Sequence, residues 1–86
     1  MKYRIIILKK ALKELENLPA IANKRITKAI DLLSNNPRPN GCKKLKGEEE
    51  TTWRIRVGDY RVIYAIEDSV KIVEIRAIGD RENIYD

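Results

Sequence analysis

Residues 53–64 read WRIRVGDYRVIY, and Gly58-Asp59 stands at the centre of that run. A Gly-Asp pair between two alternating segments predicts a β-hairpin with a two-residue loop. Glycine supplies a positive φ without a Cβ clash, and aspartate tolerates one. The flanking strands are expected at Thr51–Val57 and Tyr60–Glu67. Alternation then sorts their side chains by face. Trp53, Ile55 and Val57 share one side with Val62, Tyr64 and Ile66; Arg54 and Arg56 share the other with Arg61, Ile63 and Ala65.

The remaining elements follow from period and punctuation. Lys2–Leu8 is rich in β-branched residues and predicts a strand. Ala11, Leu12, Leu15 and Leu18 recur at helical spacing, and Pro19 ends that helix. A second helix is expected from Ala20 to Asn35, with an apolar line of Ile26, Ala29, Ile30 and Leu33 preceded by Ile21 and Ala22. Asn35–Gly41 is a loop, Lys43–Gly47 a short strand or basic turn, and Glu48–Glu50 a solvated acidic loop. After a turn at Asp68-Ser69, Val70–Ile78 predicts a further strand. There Val73, Ile75 and Ala77 form the apolar side, Gly79 breaks the strand, and Asp80–Asp86 form a tail. The order is β-α-α-β-β-β. It predicts one α+β domain over residues 1–86, with an N-terminal helical hairpin packed on one face of an antiparallel sheet and the opposite face open.

Composition limits the chemistry. A chain of 86 residues buries only roughly 60–65% of its unfolded surface, which favours an open face over a deep cavity. One cysteine, Cys42, precludes an intrachain disulfide or a cysteine-based zinc site, and zero histidines remove the commonest acid–base group and metal ligand. Catalysis here must work without imidazole, and no metal or other cofactor is expected. No apolar run approaches a membrane span and no signal peptide is visible, so a cytoplasmic chain is expected. The net charge of +5 suits an anionic partner. Residues 1–42 hold 9 basic and 3 acidic side chains, and residues 43–86 hold 9 and 10. In the second half, position matters more than number.

Arg54, Arg56, Arg61, Arg76 and Arg81 can gather on the open face, with Glu74 among them as counter-ion. The spacing allows two readings. The arginines pair with Glu74, Glu67 or Asp59 and keep the sheet soluble, or they bind a polyanion that offsets the repulsion between like charges on neighbouring strands.

Leu45–Gly47 (LKG), WRIRVGDYRVIY, and Ile78–Tyr85 (IGDRENIY), in this order and spacing, resemble the RelE/ParE toxin superfamily of type II toxin–antitoxin systems. The resemblance covers nearly the whole chain. In the RelE branch it implies a metal-independent endoribonuclease that cleaves translated mRNA in the ribosomal A site, by 2′-OH attack on the adjacent phosphate. In the ParE branch it implies a non-cleaving toxin acting on DNA gyrase. The implied partners are a RelB-like antitoxin, in a toxin–antitoxin hetero-oligomer, and ribosome-bound mRNA. Carried over by position, Arg54 and Arg56 match the family's basic pair, Arg61 the arginine of its Tyr-Arg pair, Arg81 the arginine after the terminal glycine, Tyr85 the terminal tyrosine, and Lys46 the basic position of LKG. Asp80 departs from the pattern, standing where the family usually has His or Lys. It removes a proton donor there, which keeps a catalytically weak RNA-binding module as a third reading.

In the RELE-type chemistry so implied, Tyr85 is the general base, Arg56 and Arg61 hold the phosphorane, and Arg81 stabilises or protonates the leaving oxygen. Lys46, Arg54 and Arg76 hold the RNA backbone. Tyrosine and arginine are poor matches to neutral pH, so such a site leans on charge and placement more than on proton transfer.

Overall fold

The computed structural model describes residues 2–45 and 52–80. The elements run β1 (Arg4–Ile7), α1 (Lys9–Glu16), α2 (Ala20–Leu33), β2 (Lys43–Lys44), β3 (Thr52–Val57), β4 (Tyr60–Glu67) and β5 (Ile72–Asp80). The five strands form one sheet in the order β1-β5-β4-β3-β2. The α+β class and the helical hairpin on the sheet are as expected. The sheet is mixed rather than antiparallel throughout, because β1 lies parallel to β5 at its edge. Lys43-Lys44 is the short strand alternative, antiparallel to β3.

The β3–β4 hairpin closes on Val57 paired with Tyr60. Gly58 has φ +61, and among the described residues Lys71 is the sole non-glycine residue with positive φ. Only the first loop position therefore uses the left-handed region, and the tolerance of Asp59 for it goes unused; this is the pattern of a type II′ turn. A Cβ at Gly58 would meet Arg25 Nη1 at an ordinary 3.7 Å, so crowding is slight and the backbone carries the penalty. Gly58→Ala is expected to destabilise by about 1–2 kcal/mol, seen as a lower urea midpoint with an unchanged m-value.

The helices cover the face carrying Ile55, Val62, Tyr64, Ile66, Val73 and Ile75, against which Ala11, Leu15, Ile26, Ile30 and Leu33 pack. Leu12 and Ile21, expected on the inner lines, are exposed instead. The core lines run through Ala11 and Leu15 in α1 and Ile26, Ile30 and Leu33 in α2, which leaves those two outside. Asn23 Nδ2 donates to the Leu15 carbonyl at 2.9 Å, tying the two helices across Pro19.

The last strand departs from simple alternation. Ile63 pairs with Ala77, but Tyr64 pairs with Ile75, so Arg76 is an extra residue bulged out of register. The bulge brings Ile78 opposite Val62 and into the core, and moves Ala77 to the other face. Gly79 does not end the strand, which continues through Asp80. Beyond Ile75, where β1 stops, Glu14 Oε1 of α1 accepts the Ile78 N–H at 2.9 Å and satisfies the exposed strand edge.

At the opposite end of the sheet a polar clasp joins three segments. The Tyr3 hydroxyl donates to Asp68 Oδ1 at 2.6 Å, and Arg38 donates to both Asp68 oxygens at 3.3 and 2.8 Å. The Arg38 guanidinium also lies 5.1 Å from the Trp53 ring centroid. The hydrogen bonds from Arg38 and then Tyr3 hold the Asp68 carboxyl at about 2, below its usual 3.8. The folded pKa is depressed, so the contribution is present above the unfolded value and lost as pH falls through the folded one. The melting-temperature gap between wild type and Asp68→Asn is expected to be full at pH 5–7 and to close between about pH 4 and 2.

Candidate nucleic-acid interface

The register defines the face turned away from the helices row by row. Arg56 pairs with Arg61, and Arg61 with Gly79. Next along the strands, Lys43, Arg54, Ile63 and Ala77 form a row, followed by Thr52, Ala65 and Glu74. Successive rows on one face stand about 7 Å apart. Arg54, Arg56 and Arg61 therefore share one side of adjacent strands, as alternation predicts. Gly79 places no side chain beside Arg61.

Depth differs from expectation. Arg54 is only 6% exposed, together with Leu45, Thr52, Ile63 and Ala65, so this face is not open along its whole length. It carries a small second apolar layer outside the main core. Arg76 helps cover it. Its Nε donates to Glu74 Oε1 at 3.0 Å and its Nη1 to Thr52 Oγ1 at 3.4 Å, so the side chain spans the row above Ala65. Arg76 thus takes the ion-pair reading, with Glu74 as the counter-ion. Arg56 is exposed and Arg61 half-buried. Two cations directly opposed across antiparallel strands repel by roughly 0.2–1 kcal/mol relative to a neutral pair. Lys46, Arg81 and Tyr85 lie outside the described residues, as do Glu48–Glu50. Asp80 ends β5 opposite Tyr60, on the helix side of the sheet.

Sequence reasoning missed the supports beneath this face. The Tyr64 hydroxyl, in the core, donates to the Pro37 carbonyl at 2.7 Å and anchors the loop between α2 and β2. Burial, reinforced by nearby Cys42 and opposed by Arg38, pushes the Tyr64 phenol well above its ordinary value. It stays a protonated donor across the physiological range. A tyrosine in the middle of an apolar strand is the available signal, since a buried hydroxyl needs a partner. Among the described residues, no group of three or more His, Cys, Asp and Glu side chains could hold a metal ion. Nor is any described helix long and apolar enough to cross a membrane.

The model of the ParE toxin of type II toxin–antitoxin systems matches residues 5–85. The chain belongs to the RelE/ParE toxin family. Its similarities within that family run to the RelE side. A chain of Methanocaldococcus jannaschii bearing the toxin name RelE1 is 38% identical, over 99% of this toxin and 97% of its own length. Toxin RelE of Mycobacterium tuberculosis is 38% identical, over 96% of this toxin and 86% of its own length. The toxin's fold also matches a chain in the crystal structure of the archaeal RelE–RelB complex from Pyrococcus horikoshii. There the TM-score is 0.84 at 33% identity, covering 98% of this toxin and all of that chain.

Proposed function

We propose that this RelE-family toxin is a ribosome-dependent endoribonuclease that cleaves translated mRNA, and that a RelB-like antitoxin holds it silent. The observation that carries the reading is the opposed pair Arg56 and Arg61 on the face away from the helices. A phosphorane lying between the two would be held by both guanidinium forks.

In the proposed reaction Tyr85 removes the 2′-OH proton, and the 2′-oxygen attacks the adjacent phosphorus in line. Arg56 and Arg61 take the charge on the five-coordinate phosphorus. The bond to the 5′-oxygen breaks, and Arg81 stabilises that oxygen or protonates it. The products are a cyclic 2′,3′-phosphate and a 5′-hydroxyl. Lys46, Arg54 and Arg76 hold the flanking backbone. Arg54 does so from beneath the surface, chiefly through its field, and Arg76 from its ion pair with Glu74. Positioning of the message by the ribosome supplies orientation that an open face lacks.

The RelE–RelB complex from Pyrococcus horikoshii supports an antitoxin partner, and the RelE-named relatives favour mRNA over gyrase as target. Primer extension on a translated message, with ribosomes present and absent, tests the reading. Codon-positioned cuts that need the ribosome are expected. Loss of supercoiling or DNA breaks, without RNA cuts, would replace it with gyrase poisoning.

A further inference from the structure

Past Ile75 the last strand changes its support. β1 stops at Ile7, opposite Ile75, and the Leu8 N–H donates to the Ile75 carbonyl at 3.0 Å as the chain turns into α1. Beyond that point β5 has β4 on one side and α1 on the other. The bulge at Arg76 falls in the same stretch and interrupts the ladder to β4.

Glu14 stands where a neighbouring strand would be. Its Oε1 accepts the Ile78 N–H at 2.9 Å, and its Oε2 accepts from Lys10 Nζ, also at 2.9 Å, one turn earlier on α1. Ala11 and Leu15 are buried in the core, so α1 is a fixed base for this carboxylate. Lys10 is 70% exposed, and an ion pair that open to water contributes little. Ile78 is therefore the partner that matters. What the bond sets is place. Ile78 stands opposite Val62, Gly79 opposite Arg61 and Asp80 opposite Tyr60. The held residue adjoins the glycine beside Arg61, and Arg81 follows it by three positions.

We propose that Glu14 is a positioning residue for RNA cleavage. It acts by fixing the end of β5, and through it the spacing between Arg61 and the chain that leads into Arg81. The inference rests on the reading of this chain as an endoribonuclease with Arg61 and Arg81 in its site. It makes one hydrogen bond the tie between the helical layer and the face that meets the phosphate. Its working property is an oxygen at a fixed point rather than a charge, because an amide oxygen accepts the same N–H.

The test measures single-turnover cleavage of a programmed ribosome over a range of toxin concentrations, at a temperature where melts show each protein folded. Glu14→Ala is expected to lower the maximal rate at least about tenfold, since a small misplacement of reacting groups is costly, and to leave the half-saturating concentration unchanged. Glu14→Gln keeps the oxygen and is expected to cleave near the wild-type rate. Lys10→Ala removes only the ion pair and is expected to behave as wild type. Amide hydrogen exchange gives a second reading. The Ile78 N–H is expected to be protected in the wild-type toxin and to lose that protection in Glu14→Ala. A wild-type maximal rate in Glu14→Ala, an equal loss in Glu14→Gln or Lys10→Ala, or an unprotected Ile78 amide in the wild type overturns the role of Glu14, while cleavage by the wild type leaves the parent reading standing. A wild-type toxin that cuts no message on the ribosome removes both.

Discussion

Arg61→Ala is expected to lower mRNA cleavage on the ribosome by about 10²–10³-fold, the usual loss when one preorganised donor to a developing oxyanion is removed. Arg61 is held opposite Arg56 and beside Gly79 by the pairing of three strands, so its backbone and the face it serves are set before RNA arrives. Arg61→Lys keeps the charge but loses the planar fork, and a smaller loss of roughly tenfold is expected. Arg56→Ala should also reduce cleavage. Because Arg56 is exposed, where side-chain pairings are weak, that variant is expected to unfold within about 1 kcal/mol of wild type. Single-turnover cleavage of a programmed ribosome, with thermal melts of each variant, separates lost chemistry from lost fold. If Arg61→Ala cleaves at the wild-type rate, the role assigned to the pair is wrong.

The largest effect on stability is expected at Tyr64. The side chain is fully buried in the centre of β4, in a row with Trp53 and Ile75, and its hydroxyl reaches across to the Pro37 carbonyl. Tyr64→Ala opens a cavity and abandons that carbonyl, costing about 3–5 kcal/mol. That is a large share of a small domain's total stability. A melting-temperature fall on the order of 15 °C or more is expected for a chain of this size. Tyr64→Phe keeps the ring and removes only the hydrogen bond, for about 1–3 kcal/mol. The two variants together measure how much the core depends on tying down the loop between α2 and β2. Equal melting temperatures for Tyr64→Phe and wild type would show that the bond to Pro37 contributes nothing net.

What could be read from the sequence was local. Gly58-Asp59 fixed the hairpin, because turn chemistry and alternation on both sides agree. That alone put Arg54, Arg56 and Arg61 on one face. Family-level motifs then pointed to the toxin family that the comparisons bear out. What escaped depended on distant partners. Nothing within Lys2–Leu8 says that it will lie parallel to the last strand. The bulge at Arg76 exists because Ile78 reaches the core opposite Val62, and the spacing of Val73, Ile75 and Ile78, two and then three, is its trace. Alternation gives the side of a residue and not its depth, so the burial of Arg54 was not visible, although Ile63 and Ala65 already marked that face as partly apolar. The chemistry of Ile21 suits the core line, whereas its helical phase puts it outside.

In the proposed reaction, opposed guanidinium groups, without imidazole, promote cleavage of a message held by the ribosome. The most direct measurement is mapping of RNA 5′ ends on a defined ribosomal complex treated with wild-type toxin and with Arg61→Ala. Cuts at the codon in the A site bearing 5′-hydroxyl ends are expected, absent without ribosomes and reduced at least about 100-fold in the variant. Intact message under wild-type toxin, or equal cutting by both proteins, would contradict it.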